Sequence, residues 1–275
     1  MRIDAHQHFW KYNEDRDTWI TDDMEVIQRN FLPEDLRPIL SENKVDGSII
    51  VQSDQSKEEN IFQLANALQH DFVKGVVGWV DLQAENLREN LEYYKEFKKL
   101  KGFRHVLQGE RQRDFMLRPN FKRGIGKLRE FGYTYDILIF PDQLAYTIEF
   151  VKAFPDQPFV LDHIAKPYIK DKKIEGWKKD IEALAAFENV YCKVSGMVTE
   201  AHWKDWTKED FLPYLDVVSQ SFGATRLMYG SDWPVCLVAA SYQEVFELAQ
   251  NYFSKFSSHE QDLIFGENAI RFYNL

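Results

Sequence analysis

Cysteine is scarce in this 275-residue chain, which contains only Cys192 and Cys236. Two cysteines exclude a disulfide scaffold and point to a reducing compartment. No apolar run approaches the roughly 20 residues needed to cross a bilayer. Basic residues do not dominate, with 34 Lys+Arg against 44 Asp+Glu and a net charge of −10. The basic patch expected of a nucleic-acid binder is therefore missing. The opening MRIDAHQHFW carries an acid and two histidines where a secretory leader needs an apolar stretch. The 13 glycines and 9 prolines are scattered, and no linker or low-complexity tract divides the chain. What is present is 44% hydrophobic and 15% aromatic residues, enough for a sizeable core. These features predict a cytoplasmic globular protein, one domain over residues 1–275, with neither nucleic acid nor membrane as a partner. They leave the oligomeric state open.

The chain repeats one unit: a short apolar run followed by a longer amphipathic stretch. Eight such runs occur, at Arg2–His6, Gly47–Gln52, Lys74–Val80, Gly102–Leu107, Thr134–Phe140, Pro158–His163, Val190–Val194 and Arg226–Gly230. Their Val, Ile, Phe and Tyr content suits a pleated, buried surface. Between them, Glu58–His70 places Ile61, Leu64, Ala65 and Leu68 at helical spacing. Leu87–Leu100 and Ile174–Ala186 do the same. Strand–helix alternation predicts a parallel sheet covered by helices. Eight units in a chain of this length predict an α/β fold of the (β/α)8 TIM-barrel type. An open doubly wound sheet would need a glycine-rich turn after its first strand; here that strand ends in His6-Gln7-His8. The stretch Lys11–Phe31 reads as neither helix nor strand, and long insertions of this kind are usually functional loops.

Chemistry-bearing residues gather at the strand ends, where barrel enzymes build their sites. In the first run, alternation puts Ile3 and Ala5 on one face and Asp4, His6 and His8 on the other, taken as the inner one. Two histidines at i and i+2 can converge on one metal or one small substrate, and burying them without partners is costly. In the sixth run, His163 shares parity with Phe159 and Leu161 and is read as facing the axis, with Asp162 pointing away. Asp232 closes the eighth run in Gly230-Ser231-Asp232-Trp233-Pro234; it is either a catalytic carboxylate or a turn aspartate. In the fourth run, adjacent Arg104 and His105 must point to opposite faces. His105 is read as facing inward, and Arg104 offers a planar fork for substrate oxygens, or else an ion pair with a helix. Phe9, Trp10, Tyr12, Trp19, Trp79 and Trp233 offer flat surfaces for a sugar ring or pack the core, and Gln52 offers both donor and acceptor. His70, His202 and His259 are read as structural, and neither cysteine has a partner that marks a nucleophile.

These stretches resemble the amidohydrolase superfamily, and in detail its amidohydrolase-2 branch of TIM-barrel hydrolases, which contains the L-fuconolactonases and L-rhamnonolactonases. The resemblance rests on Asp4–Trp10, Gly102–Gln108, Leu161–Pro167, Lys193–Gly196, Tyr229–Pro234 and Phe265–Tyr273, in order along nearly the whole chain. It implies hydrolysis of a small sugar-acid lactone, such as L-fucono- or L-rhamnono-lactone, to the aldonic acid. It places His6, His8, His163 and Asp232 in the active site, with Arg104, His105 and Lys166 lining it. In the mechanism that follows, Asp232 is the general acid/base, assisted by His163 and His105. Arg104, Lys166, Gln52, Trp79 and Trp233 contact substrate, and His6, His8, His163 and Asp232 hold one divalent ion, zinc if any. The fifth strand, Tyr135–Phe140, lacks the lysine or histidine that bridges two metals in the superfamily, so one metal or a metal-independent reaction is expected. Alternatives are a decarboxylase or hydratase of the same superfamily, or a non-catalytic barrel that binds a sugar acid.

Overall fold

The computed structural model describes residues 1–275. All eight apolar runs form strands: β1 (Ile3–Gln7), β2 (Gly47–Val51), β3 (Val73–Gly78), β4 (Leu100–His105), β5 (Thr134–Ile137), β6 (Phe159–Leu161), β7 (Val190–Val194) and β8 (Leu227–Tyr229). They make one sheet in sequential order, each strand parallel to the next. Helices cover it: α1 (Pro33–Glu42), α2 (Lys57–Gln69), α3 (Leu87–Tyr94), α4 (Pro119–Phe131), α5 (Leu144–Lys152), α6 (Glu175–Ala185), α7 (Lys208–Phe222), α8 (Tyr242–Phe253), α9 (Ser258–Asp262) and α10 (Asn268–Tyr273). This is the (β/α)8 barrel that the alternation predicts. No helix is long and apolar enough to cross a membrane.

Local chemistry sets the helix ends. The Ser56 and Ser241 side chains cap α2 and α8 by accepting from Glu59 and Glu244 backbone N–H groups. Pro119 starts α4, and Gly132, at φ +77°, ends it.

The barrel closes where β8 meets β1. The Asp232 N–H donates to the His6 carbonyl at 2.8 Å, and the His8 N–H to the Trp233 carbonyl at 2.7 Å. The Asp4 carboxylate accepts from the Ser231 and His6 N–H groups at 2.9 and 3.1 Å. Inside, Ile3, Ala5, Ile49, Val51, Val77, Val160 and Met228 form an apolar plug with Ala269, Phe272 and Tyr273 of α10. Helix α10 thus seals the end at which the strands begin. Polar side chains take over toward the strands' C-terminal ends.

Two parity expectations are corrected here. Ile3 and Ala5 point into the barrel, and Asp4 points out of it, toward Ser231 and the Tyr242 hydroxyl. The β1–β2 register slips between Asp4 and Gln7, and this irregularity turns His6 inward next to Ala5. In β6 the inward residue is Val160, not Phe159 or Leu161, so alternation carries Asp162 inward as well.

Candidate active site

His163 reaches the axis by a different route from the one alternation suggests. Its φ is +54°, and Ile164, Ala165 and Lys166 follow at +48°, +59° and +47°. Left-handed conformation costs a non-glycine residue about 1–2 kcal/mol, so four in a row persist only because tertiary contacts hold them. Ile164 and Ala165 are fully buried, and the Trp177 indole N–H donates to the Ile164 carbonyl at 2.8 Å. The turn swings His163 over the barrel mouth beside Gly196, which has no Cβ to block it. Gly230 likewise leaves room for His6, whose Cβ lies 2.7 Å from where a Gly230 Cβ would sit. Asp232 is also left-handed, at φ +59°.

Three imidazoles converge on one carboxylate oxygen. Asp232 Oδ1 lies 3.3 Å from His8 Nε2, 3.8 Å from His163 Nε2 and 3.9 Å from His6 Nε2. All four side chains are buried. His8 Nδ1 is 2.7 Å from the Val51 carbonyl, an acceptor, so Nδ1 carries a proton and Nε2 faces Asp232. His163 Nδ1 is held by the Ser195 hydroxyl at 2.9 Å, and His6 Nδ1 lies 3.3 Å from Asp162 Oδ1. Burial holds the His6 and His163 imidazoles well below their ordinary pKa. Burial pushes the Asp232 carboxyl up, but His163, His8 and Lys166 outweigh it and hold Asp232 below its usual range.

The donor set fits a divalent cation. Four donors bonded at about 2.0–2.1 Å to one tetrahedral ion stand roughly 3.4 Å apart, close to the spacings around Asp232 Oδ1. Each histidine is also gripped through its second ring nitrogen, the arrangement that orients metal-binding imidazoles. His6 Nε2 additionally faces Arg104 Nη1 at 3.2 Å.

The cleft above these residues has a volume of about 290 Å³. His8, Arg104, His163, Lys166 and Asp232 form its charged part, and Trp19, Val106, Leu138 and Val235 its apolar walls. Trp19 comes from the Lys11–Phe31 insertion, which packs back on the barrel through the Trp10–Phe31 bridge. Lys166 pairs with Glu200 at 3.7 Å. The structure thus brings together His6, His8, His163, Asp232, Arg104 and Lys166.

Four expected site residues lie elsewhere. His105 points out of the barrel, because Arg104, its neighbour on β4, takes the inward position. Its ring stacks on Phe115 with centroids 5.1 Å apart, and Nε2 pairs with Glu110 at 2.7 Å. Gln52 is buried beneath the cleft, where its amide N–H donates to the Arg104 carbonyl at 3.2 Å. Trp233 packs edge-on against Phe9 and Phe31 in the core. Trp79 does not line the cleft; its backbone is bracketed by the Asn60 amide. Phe9 and Trp10 are likewise core residues.

Three residues that alternation and motif reading pass over complete the site from below: Asp136, Asp162 and Lys193. Asp162 accepts from Arg104 Nη1 at 3.0 Å, and Lys193 lies 3.1 Å from Asp162 and 2.5 Å from Asp136. Their signal in the sequence is a charge inside an apolar strand: Lys193 within Val190–Val194, and Asp136 within Thr134–Ile137.

Known proteins match this chain from end to end. Residues 3–275 match the family model described as Amidohydrolase (Amidohydro_2). A curated L-fucono-1,5-lactonase of Burkholderia multivorans is 38% identical, over 100% of this chain and 96% of its own length. An L-fucono-1,5-lactonase of Burkholderia ambifaria is 33% identical over the same shares. The crystal structure of an amidohydrolase from Burkholderia multivorans with bound zinc superposes with a TM-score of 0.97 at 38% identity, covering 100% of this chain and 99% of that one.

Proposed function

The chain belongs to the amidohydrolase family, and we propose that it opens a sugar-acid lactone to the aldonic acid by hydrolysis. The observation that carries this reading is the Asp232 carboxylate, ringed by three imidazoles on the floor of a small cleft. Lactone hydrolysis needs an activated water, stabilisation of the carbonyl oxygen and a proton for the leaving alkoxide. Asp232, held ionised, takes the proton from water as the water attacks the carbonyl carbon. It then returns that proton to the ring oxygen as the C–O bond breaks. The Lys166 ammonium flanks the cleft on the Asp232 side and orients the carbonyl. Trp19, Leu138 and Val235 give the sugar ring its apolar contacts.

His6, His8 and Asp232 would hold a divalent cation, with His163 beside them 3.8 Å from Asp232, zinc by analogy with the zinc-bound Burkholderia amidohydrolase. Such an ion supplies Lewis-acid polarisation of the carbonyl and lowers the pKa of water toward about 7.

Charge accounting favours a neutral lactone over the carboxylate that a decarboxylase or hydratase of unsaturated acids would take. Arg104 spends Nη1 on Asp162 and Nη2 on the Gln52 carbonyl, and Lys166 faces Glu200. Asp162 thus already balances the charge of Arg104, and Glu200 that of Lys166. The L-fucono-1,5-lactonase relatives support a 1,5-lactone, and a curated L-rhamnono-gamma-lactonase of Scheffersomyces stipitis, 25% identical over 66% of this chain, supports testing the 1,4-ring. Acid release from a panel of 1,4- and 1,5-aldonolactones, with and without chelator, decides the matter. Turnover of an L-fucono- or L-rhamnono-lactone is expected. No turnover of any lactone overturns the hydrolase reading, and full turnover after metal removal overturns the role given to the ion.

A further inference from the structure

Below the cleft, half-way down the barrel, lie four buried charges: Arg104, Asp136, Asp162 and Lys193. Lys193 Nζ donates to Asp136 Oδ2 at 2.5 Å and forms an ion pair with Asp162 Oδ1 at 3.1 Å. Asp162 Oδ2 accepts from Arg104 Nη1 at 3.0 Å. The Tyr273 hydroxyl of α10 donates to Asp136 Oδ2 at 2.8 Å. Asp136, Asp162 and Lys193 are completely shielded from solvent, and none of the three lines the cleft.

Packing does not call for such a chain. The barrel interior beneath them is filled by aliphatic and aromatic side chains. Replacing a buried ion network by apolar groups of similar volume is often neutral or stabilising. The upper end of the chain, however, touches the site. Asp162 Oδ1 is 3.3 Å from His6 Nδ1. The Arg104 guanidinium is a rigid planar fork, so with one Nη1 hydrogen on Asp162 the other faces His6 Nε2 at 3.2 Å and requires a lone pair there. His6 therefore carries its proton on Nδ1, toward Asp162. The Lys193 ammonium, 3.2 Å from the same Nδ1, can rotate its hydrogens onto the two carboxylates.

We propose that Lys193 is a positioning residue. Clamped between Asp136 and Asp162, and tied through Tyr273 to the C-terminal helix, it fixes the Asp162 carboxylate. Asp162 in turn fixes the Nδ1–H form of His6, so that the Nε2 lone pair is turned to the edge of the ring where Arg104 and Asp232 lie. The turnover part of the test rests on the lactonase reading; the rest does not.

The test compares wild type with Lys193→Met at a single pH. Long-range ¹H–¹⁵N correlation spectra of histidine-labelled protein report the His6 tautomer, and competition with a chromogenic chelator reports affinity for Zn²⁺ alone. The methionine variant is expected to lose the pure Nδ1–H signature and to bind Zn²⁺ 10–100-fold more weakly, the range typical for lost outer-shell partners. On the lactone, kcat is expected to fall by the same order while KM moves little. Tyr273→Phe removes only the hydroxyl and is expected to move the same readouts in the same direction, by less. A folded Lys193→Met with the wild-type His6 spectrum overturns the proposal, whatever its kcat. Should that variant not fold, a wild-type spectrum and zinc affinity in Tyr273→Phe overturn it instead. If wild type turns over no lactone, the functional reading fails, while spectra and zinc affinity still decide the role of Lys193.

Discussion

Replacing Gly196 by alanine tests how tightly His163 must be held. A Cβ at position 196 would lie 2.5 Å from His163 Nδ1 and 2.7 Å from its Cγ. Ordinary contact is about 3.5 Å, so the imidazole must retreat by roughly 1 Å. It has nowhere soft to go: it is 3% exposed, its Nδ1 is engaged by Ser195, and the His6 ring centroid lies 4.3 Å away. A misplacement of about 1 Å at a reacting centre costs about 10²-fold in rate. Gly196 also has φ +58°, which costs alanine about 1–2 kcal/mol; loss of the Ser195 hydrogen bond adds about 1 kcal/mol. For a chain of this size that sum lowers Tm by roughly 4–12 °C. Gly132→Ala is the control. Its φ is +77° with no atom within 4 Å of the added carbon, so it carries the backbone cost alone. The expected result is a kcat about 10²-fold down for Gly196→Ala at 25 °C, where it remains folded, and a wild-type kcat for Gly132→Ala. Wild-type turnover by a folded Gly196→Ala would refute the argument that His163 needs its present place.

Three further expectations follow from the site and its surroundings. Asp232→Asn keeps the shape but removes the proton acceptor, so single-turnover lactone hydrolysis should slow by 10²–10⁴-fold; a fully active variant removes Asp232 from the chemistry. His105→Phe should keep kcat within a few-fold, because the ring stacks on Phe115 outside the barrel; a loss comparable to that of Asp232→Asn would return His105 to the mechanism. Burial raises the pKa of Glu59, whose carboxylate accepts from the Ser53 and Gln63 side chains. Its folded pKa exceeds its unfolded value, so the native state holds this proton more tightly. The contribution is complete below about pH 4.5 and is lost as pH rises through the folded pKa. Urea midpoints of Glu59→Gln minus wild type should therefore grow from pH 4 upward, and a flat difference refutes this.

The fold was legible because its signals are local. Eight β-rich runs separated by helical periodicity require only neighbours along the chain, and every run became a strand. The strand-end residues His6, His8, His163 and Asp232 were legible too, because a polar residue at the end of an apolar run stands out. His105 was misassigned because β4 offers two polar neighbours, and alternation alone does not say which one faces in. Trp79, Trp233 and Gln52 were misassigned because an aromatic or amide near a strand end reads the same whether it packs the core or meets a ligand.

What the chain's own order of residues determined is the set of elements and the chemistry stored at their ends. What only the tertiary structure decided is which face those ends turn toward. The slip in β1 pairing that brings His6 inside depends on β2, and the left-handed turn that swings His163 over the mouth depends on Trp177 and Gly196. The pairing of Lys193 with Asp136 and Asp162 joins three strands. Alternation is a property of one strand, whereas register, turn handedness and buried charge pairing are settled only when strands meet and every buried polar group must find a partner.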